Sequence, residues 1–147
     1  MTSKVLVSIT GTHINEAGED TVQTVQPGTY KYMQGKHIVI YEEILEESLN
    51  VAPVTAQCLL KMTSDSVSLR KKGDTLADMH FEAGKSHETL YETPIGTMHM
   101  RLTTTRLDME EREDYLCLKL EYSLDMNYNH ISDCRIQIEI TPKEADS

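Results

Sequence analysis

Six histidines, three cysteines and the carboxylate pairs Glu42-Glu43 and Glu46-Glu47 are side chains of this 147-residue chain whose types could do chemistry. The histidines are His13, His37, His80, His87, His99 and His130. No two stand four apart, as ligands on one helix face would, and no H-E-x-x-H pattern occurs. In a barrel, ligands converge from different strands, so spacing alone does not speak against a metal. The plain reading is hydrogen-bonded or solvated imidazole, with no metal and no cofactor expected. His80 lies between Met79 and Phe81, and neighbours on a strand point to opposite faces, so it is expected to face water.

Cys58, Cys117 and Cys134 are odd in number, widely spaced and without a C-x-x-C pair. All three lie in alternating apolar stretches, where cysteine acts as a small buried hydrophobe, and a reducing cytoplasmic setting is the expectation. No histidine or basic cluster adjoins them in sequence to lower a thiol pKa. Gly-x-Ser-x-Gly, a P-loop and a dinucleotide fingerprint are missing. Glu42-Glu43 and Glu46-Glu47 do not form acid–base dyads by themselves, because adjacent strand residues diverge. No catalytic residue is therefore assigned.

Two groupings suit binding instead. His87, Thr89 and Tyr91 share one strand face, and with Tyr122 they could orient a small apolar ligand inside a barrel. Hydrogen bonding to each other or to buried water would explain the same residues. A cavity above ~300 Å³ would favour binding; a packed core would not. Tyr30, Tyr32 and Tyr41 line one face of a hairpin whose other face carries Met33, Ile38 and Ile40. With both faces partly apolar, this hairpin is the alternative site, for a protein partner or homodimer.

The elements that must position these residues follow from a period of two. Leu116, Leu118, Leu120, Tyr122, Leu124 and Met126 alternate with polar residues, as do Cys134, Ile136, Ile138 and Ile140. Val5, Val7 and Ile9 begin the chain the same way, and Met98, Met100 and Leu102 add a stripe. One polar face per strand argues for antiparallel pairing. Ten strands are expected, over 3–13, 20–33, 36–45, 53–62, 65–71, 75–82, 86–92, 97–107, 114–127 and 131–141. Pro27-Gly28 is read as a bulge in the second, since proline cannot donate to a ladder. The acidic run 108–114 is read as a solvated turn, and 42–50 makes barely two turns of any helix. Residues 1–141 thus form one all-β domain, an up-and-down meander closed into a barrel of about eight to ten strands, with 142–147 a frayed tail.

Two hairpins permit a register. If Pro94 and Ile95 form a two-residue loop, Tyr91 faces Met98, Thr89 faces Met100, His87 faces Leu102, and Glu88 opposes Arg101. A Gln34-Gly35 turn sets Tyr30 against Val39 and Tyr32 against His37. Around Gly73-Asp74 burial favours a three-residue loop pairing Val67 with Met79 and Leu69 with Ala77.

Composition bounds the partners. A mass of 16.7 kDa, a net charge of −10 and a pI near 5.0 make nucleic acid or an anionic membrane surface unfitting partners. Apolar runs of four or five residues fall far short of the ~20 that span a bilayer. Met1 to Val5 runs straight into a strand, so no secretory signal is expected.

Tyr41-Glu42-Glu43 closing the third strand, Phe81-Glu82-Ala83-Gly84-Lys85 closing the sixth, and Tyr91-Glu92-Thr93-Pro94-Ile95-Gly96 carry a resemblance. The chain resembles the YwiB-like family, small bacterial proteins of unknown function, over nearly its whole length. Ile95 stands where that family's pattern leads one to expect an aromatic. The resemblance implies a calycin-like, lipocalin-like β-barrel. Calycins hold small apolar ligands, yet this chain has no Trp and so lacks the Gly-x-Trp signature of lipocalins. Ligand transport is not carried over by motif, and fold analogy says little of function.

Overall fold

A computed structural model of the chain describes residues 2–45, 54–73 and 76–143. Ten strands appear in sequence order: β1 (Lys4–Asn15), β2 (Gly18–Met33), β3 (Lys36–Leu45), β4 (Val54–Met62) and β5 (Ser66–Gly73). β6 (Leu76–Glu82), β7 (Ser86–Thr93), β8 (Gly96–Arg112), β9 (Tyr115–Met126) and β10 (Asn129–Pro142) follow. Each pairs antiparallel with its sequence neighbour, and β1 also pairs with β10, closing the barrel. Closure removes the unpaired edges that a ten-strand meander would otherwise expose. No helix among the described residues is long and apolar enough to cross a membrane.

The alternation sets the core. Val5, Val7, Leu116, Leu118, Leu120, Ile138 and Ile140 are buried inside the closing β1–β10–β9 wall. Val39, Cys58, Leu60, Met62, Val67, Phe81, Met100 and Leu102 fill the barrel from the other strands. Each such aliphatic side chain withdrawn from water contributes about 1.5–3 kcal/mol.

The Pro94 hairpin takes the expected register in full, with Tyr91 opposite Met98, Thr89 opposite Met100, His87 opposite Leu102 and Glu88 opposite Arg101. Tyr30 opposes Val39 and Tyr32 opposes His37, across a turn where Gln34 and Gly35 both have positive φ. Three expectations are corrected. The β5–β6 ladder pairs Leu69 with Met79 and Val67 with Phe81, two residues away from the register expected. The inside and outside faces are unchanged by that shift; what it gains is Arg70 opposite Asp78, where the two side chains pair at 3.2 Å. Pro27-Gly28 makes no bulge: Leu6 pairs with Pro27 and Val5 with Gly28 without a slip. Pro27 instead coincides with the parting of β2 from β3, whose last pair is Gly28 with Tyr41.

The third correction concerns the acidic run. β8 continues to Arg112, and Leu107 and Met109 pack on the core opposite Leu120 and Leu118. Outward carboxylates are neutralised on the spot: Arg106 bonds Asp108 and Glu121, and Arg112 bonds Glu110. Only Glu113 and Asp114 are left for the turn, with Asp114 at φ 58°. At the other end of the chain Pro142 belongs to β10 and the Lys143 N–H donates to Lys4 O; residues 144–147 of the expected tail lie outside the described residues. So do residues 46–50 of the 42–50 stretch.

Candidate functional site

The barrel differs at its two ends. The end reached by β1's start and β8's finish is stoppered by side chains. The Tyr30 hydroxyl and His37 Nδ1 lie 2.7 Å apart, and His37 Nε2 contacts the Glu111 carboxylate. Tyr32 lays its ring against the same imidazole, 5.0 Å between centroids. Burial, then the Glu111 charge, raises the Tyr30 phenol above its ordinary pKa, so it stays protonated. This bridge spans 74 residues of sequence and closes the wall rather than facing a substrate space.

Among the described residues the opposite end is open, where two strands diverge. Beyond Gly28 and Tyr41, β2 pairs only with β1, and β3 only with β4. The cleft between them has a volume of about 660 Å³ and is lined by Ile9, Gly11, His13, Val22, Thr24, Val25, Gln26, Glu42, Glu43 and Ile136. Ile9 and Ile136 form its floor against the core. Val22, on the same face as Ile9 and Gly11, is 55% exposed, which is unusual for a valine and marks an apolar wall left uncovered among the described residues. Glu43 reaches Lys71 at 3.0 Å, and both stems are about three-quarters buried. Beneath that pair sits Cys58, whose thiol burial pushes up to about 11, with Glu43 adding to the rise. His13 Nδ1 lies 3.2 Å from Cys134 Sγ, a thiol that burial likewise raises, so neither cysteine is poised as a nucleophile. The Gly11 position is open: a Cβ built there would meet nothing within 4 Å.

A second cluster occupies the seam between β6 and β7. Their ladder consists of one pair, Leu76 with Glu92, so the two strands splay apart toward the turn that joins them. That turn is tied down by β8 instead: Gly84 N–H donates to Thr104 O, and Thr104 N–H donates to Lys85 O. Into the gap His87 turns its ring, edge-on to His80 with centroids 4.5 Å apart. His80 Nε2 lies 2.9 Å from Glu82 Oε1, and Lys85 Nζ 2.9 Å from Glu82 Oε2. Lys85 and then His80 draw the Glu82 carboxyl down to about 2, so it is ionised throughout the neutral range. His87 Nε2 is buried and has no hydrogen-bond partner among the described residues, a cost of about 1–3 kcal/mol for a polar atom. A recess of about 330 Å³ adjoins, lined by Asp78, His80, His87, Glu88, Thr89 and Leu102.

The residues read from sequence fall into different places. Tyr122 packs its ring on Phe81 at 4.9 Å inside the core, and burial raises its phenol pKa. Tyr91 lies half-buried against that core, while His87 and Thr89 line the seam recess. These four do not converge on one cavity. Of the tyrosine hairpin, Tyr41 is 4% exposed and walled into the core, Tyr30 is half-buried on His37, and Tyr32 presents its ring at 61% exposure. His80 faces outward as expected, but toward Glu82 and His87. The cleft residues Ile9, Gly11, Val22 and Glu43 were missed: each reads as ordinary wall until the parting of β2 from β3 is known.

The family model described as "Domain of unknown function (DUF1934)" matches residues 7–138. The crystal structure of the YwiB protein from Bacillus subtilis superposes with a TM-score of 0.80 at 15% sequence identity, covering 97% of this chain and 93% of that one. At that identity the likeness concerns the fold alone. Among curated proteins no significant match is found.

Proposed function

The chain belongs to the DUF1934 family, and we propose that it is a binding protein which takes a small, largely apolar molecule in the cleft at the barrel's open end. The observation that carries this reading is the cleft itself: about 660 Å³ between β2 and β3, floored by Ile9 and Ile136 and walled on one side by the exposed Val22. That volume lies within the range of small-molecule sites, and Ile9, Val22 and Ile136 give it apolar surface beside the polar His13, Thr24, Gln26, Glu42 and Glu43. Glu42 and Glu43 stand at the lip, so the preferred ligand is neutral or carries an amino group, not a carboxylate. His13 and Gln26 offer polar atoms that fix its orientation.

Titration with the neutral dye Nile red tests this. One dye per chain should bind and fluoresce, and the anionic dye anilinonaphthalene sulfonate should bind more weakly. Gly11→Leu, whose Cβ would meet nothing within 4 Å and whose side chain would occupy the cleft, should abolish Nile red binding with the circular dichroism spectrum kept. Equal binding by the folded Gly11→Leu variant would retire the cleft. Native mass spectrometry of freshly purified protein would then show whether any ligand travels with it.

A second reading rests on the tip of the β2–β3 hairpin, where Tyr32 and Met33 are exposed. There the protein would meet a partner or its own copy. Only Tyr32 of the three tyrosines presents its ring to such a contact. Sedimentation at micromolar concentration should show self-association that Tyr32→Glu weakens; a strict monomer retires the homodimer.

A further inference from the structure

The β6–β7 seam carries ligand chemistry that the open cleft does not use. We propose that His80, Glu82 and His87 form a zinc site, in which Nε2 of both imidazoles and Oε1 of Glu82 bind one Zn²⁺, with water from the adjoining recess in the fourth place. One ligand atom from each of the three residues already lies within 4.8 Å of the other two. A tetrahedral zinc ion with bonds of about 2.0–2.2 Å sets its ligands roughly 3.4 Å apart. His80 Nε2 to Glu82 Oε1 is 2.9 Å and His87 Nε2 to Glu82 Oε1 is 3.8 Å, on either side of that spacing. Small rotations of two partly exposed rings bring the set to bonding geometry.

A second observation points to the same spot. His87 Nε2 is a buried ring nitrogen with no hydrogen bond among the described residues, and it is turned toward Glu82, 3.8 Å away, rather than toward solvent. A cation between them would give that nitrogen its partner. The donor set then narrows the ion to the late first-row divalent metals, of which zinc is the one proposed. Two imidazoles and one carboxylate suit zinc, whereas calcium and magnesium require a shell of oxygens. Lys85 holds the other carboxylate oxygen, Oε2, so Oε1 is left to the metal. Glu88 lines the recess and its negative charge favours a dication there despite Lys85, while Asp78, also in the lining, is already paired with Arg70. The bond network also gives the site a structural consequence. With one ladder pair between β6 and β7, an ion held by both strands would clip the weakest join of the barrel. None of this depends on whether the open cleft takes a ligand.

The test uses the metal-stripped full-length chain, titrated with zinc chloride in competition with a chromophoric chelator. One zinc per chain is expected. Replacing an outer partner of a metal ligand commonly costs 10–100-fold in affinity, so loss of a ligand itself should cost more than about tenfold. His87→Ala and Glu82→Gln should each show that loss with unchanged far-ultraviolet circular dichroism. His130→Ala should not, although His130 sits beside Asp125 and Asp133 and is the natural decoy. Zinc should also shift the imidazole ¹⁵N resonances of His80 and His87. The proposal is overturned if the chelator keeps all the zinc, if Glu82→Gln binds as tightly as the parent, or if the loss follows His130→Ala.

Discussion

Thr104 makes the packing account quantitative. Its side chain is 1% exposed on the inner face of β8, and its hydroxyl has no hydrogen-bond partner among the described residues. Its backbone is fully used, donating to Lys85 O and accepting from Gly84 N, so the residue cannot turn away. In the unfolded chain that hydroxyl is hydrated; on folding it loses water and gains nothing, a penalty of about 1–3 kcal/mol. Thr104→Val keeps the branched shape and removes the stranded oxygen. It should therefore stabilise the protein by about 1–3 kcal/mol, which for a chain of this size raises Tm by about 3–9 °C. The neighbouring Thr103→Val is the control. Thr103 Oγ1 lies 2.8 Å from Ser86 Oγ on the wet outer face, where water replaces the bond, and a change within about 0.5 kcal/mol is expected. Urea unfolding followed by circular dichroism, fitted with a common slope, measures both. If Thr104→Val proves less stable than Thr103→Val, the hydroxyl has a buried partner such as an ordered water, and the reasoning fails.

Two further outcomes follow from the same geometry. A Cβ at Gly28 would stand 2.9 Å from Ile40 O and 3.1 Å from Val7 Cγ2, so Gly28→Ala should cost about 1–3 kcal/mol, whereas Gly11→Ala, in open space, should be neutral or gain up to about 1 kcal/mol; equal urea midpoints for the pair would contradict the β1–β2–β3 packing. The Cys58 thiol, fully buried and pushed up to about 11, should resist iodoacetamide at pH 8 until urea exposes it. Because its folded pKa lies above the ordinary 9.0, the stability it contributes is whole below pH 9 and is lost as pH rises through 11. Alkylation of Cys58 in the native protein at the rate of a free thiol would show that the open end reaches deeper than the structure places it.

Face and offset were not equally legible in the sequence. Which residues point inward is a local property, because successive strand residues alternate, and Leu116 to Met126 or Cys134 to Ile140 declare it without help. A short turn converts that parity into an exact pairing, which is why the Pro94 and Gln34-Gly35 hairpins could be laid out residue by residue. Where the turn left two registers with the same inner face, as between β5 and β6, burial could not separate them; the Arg70–Asp78 pair could have. The acidic run misled because charge was weighed before period. Leu107 and Met109 continue the inner stripe of β8 through it, and Glu111 ends it on His37.

The offset between distant strands is set by closure, and both candidate sites depend on it. His13 meets Cys134 across 121 residues only because β1 pairs with β10. His87 reaches Glu82 because the β6–β7 ladder stops after one pair, and the cleft opens because the β2–β3 ladder stops at Gly28 and Tyr41. An intact ladder leaves no room for either event. Its strands lie about 4.8 Å apart, its inner face is filled by neighbours, and its outer face diverges into water. Backbone groups released from a ladder must find other partners, which at the β6–β7 turn are the amide and carbonyl of Thr104. Function in this barrel is therefore to be sought at the interruptions of hydrogen bonding. There, side chains from separate strands turn toward one another and an apolar wall stays uncovered, features that no single stretch of its sequence contains.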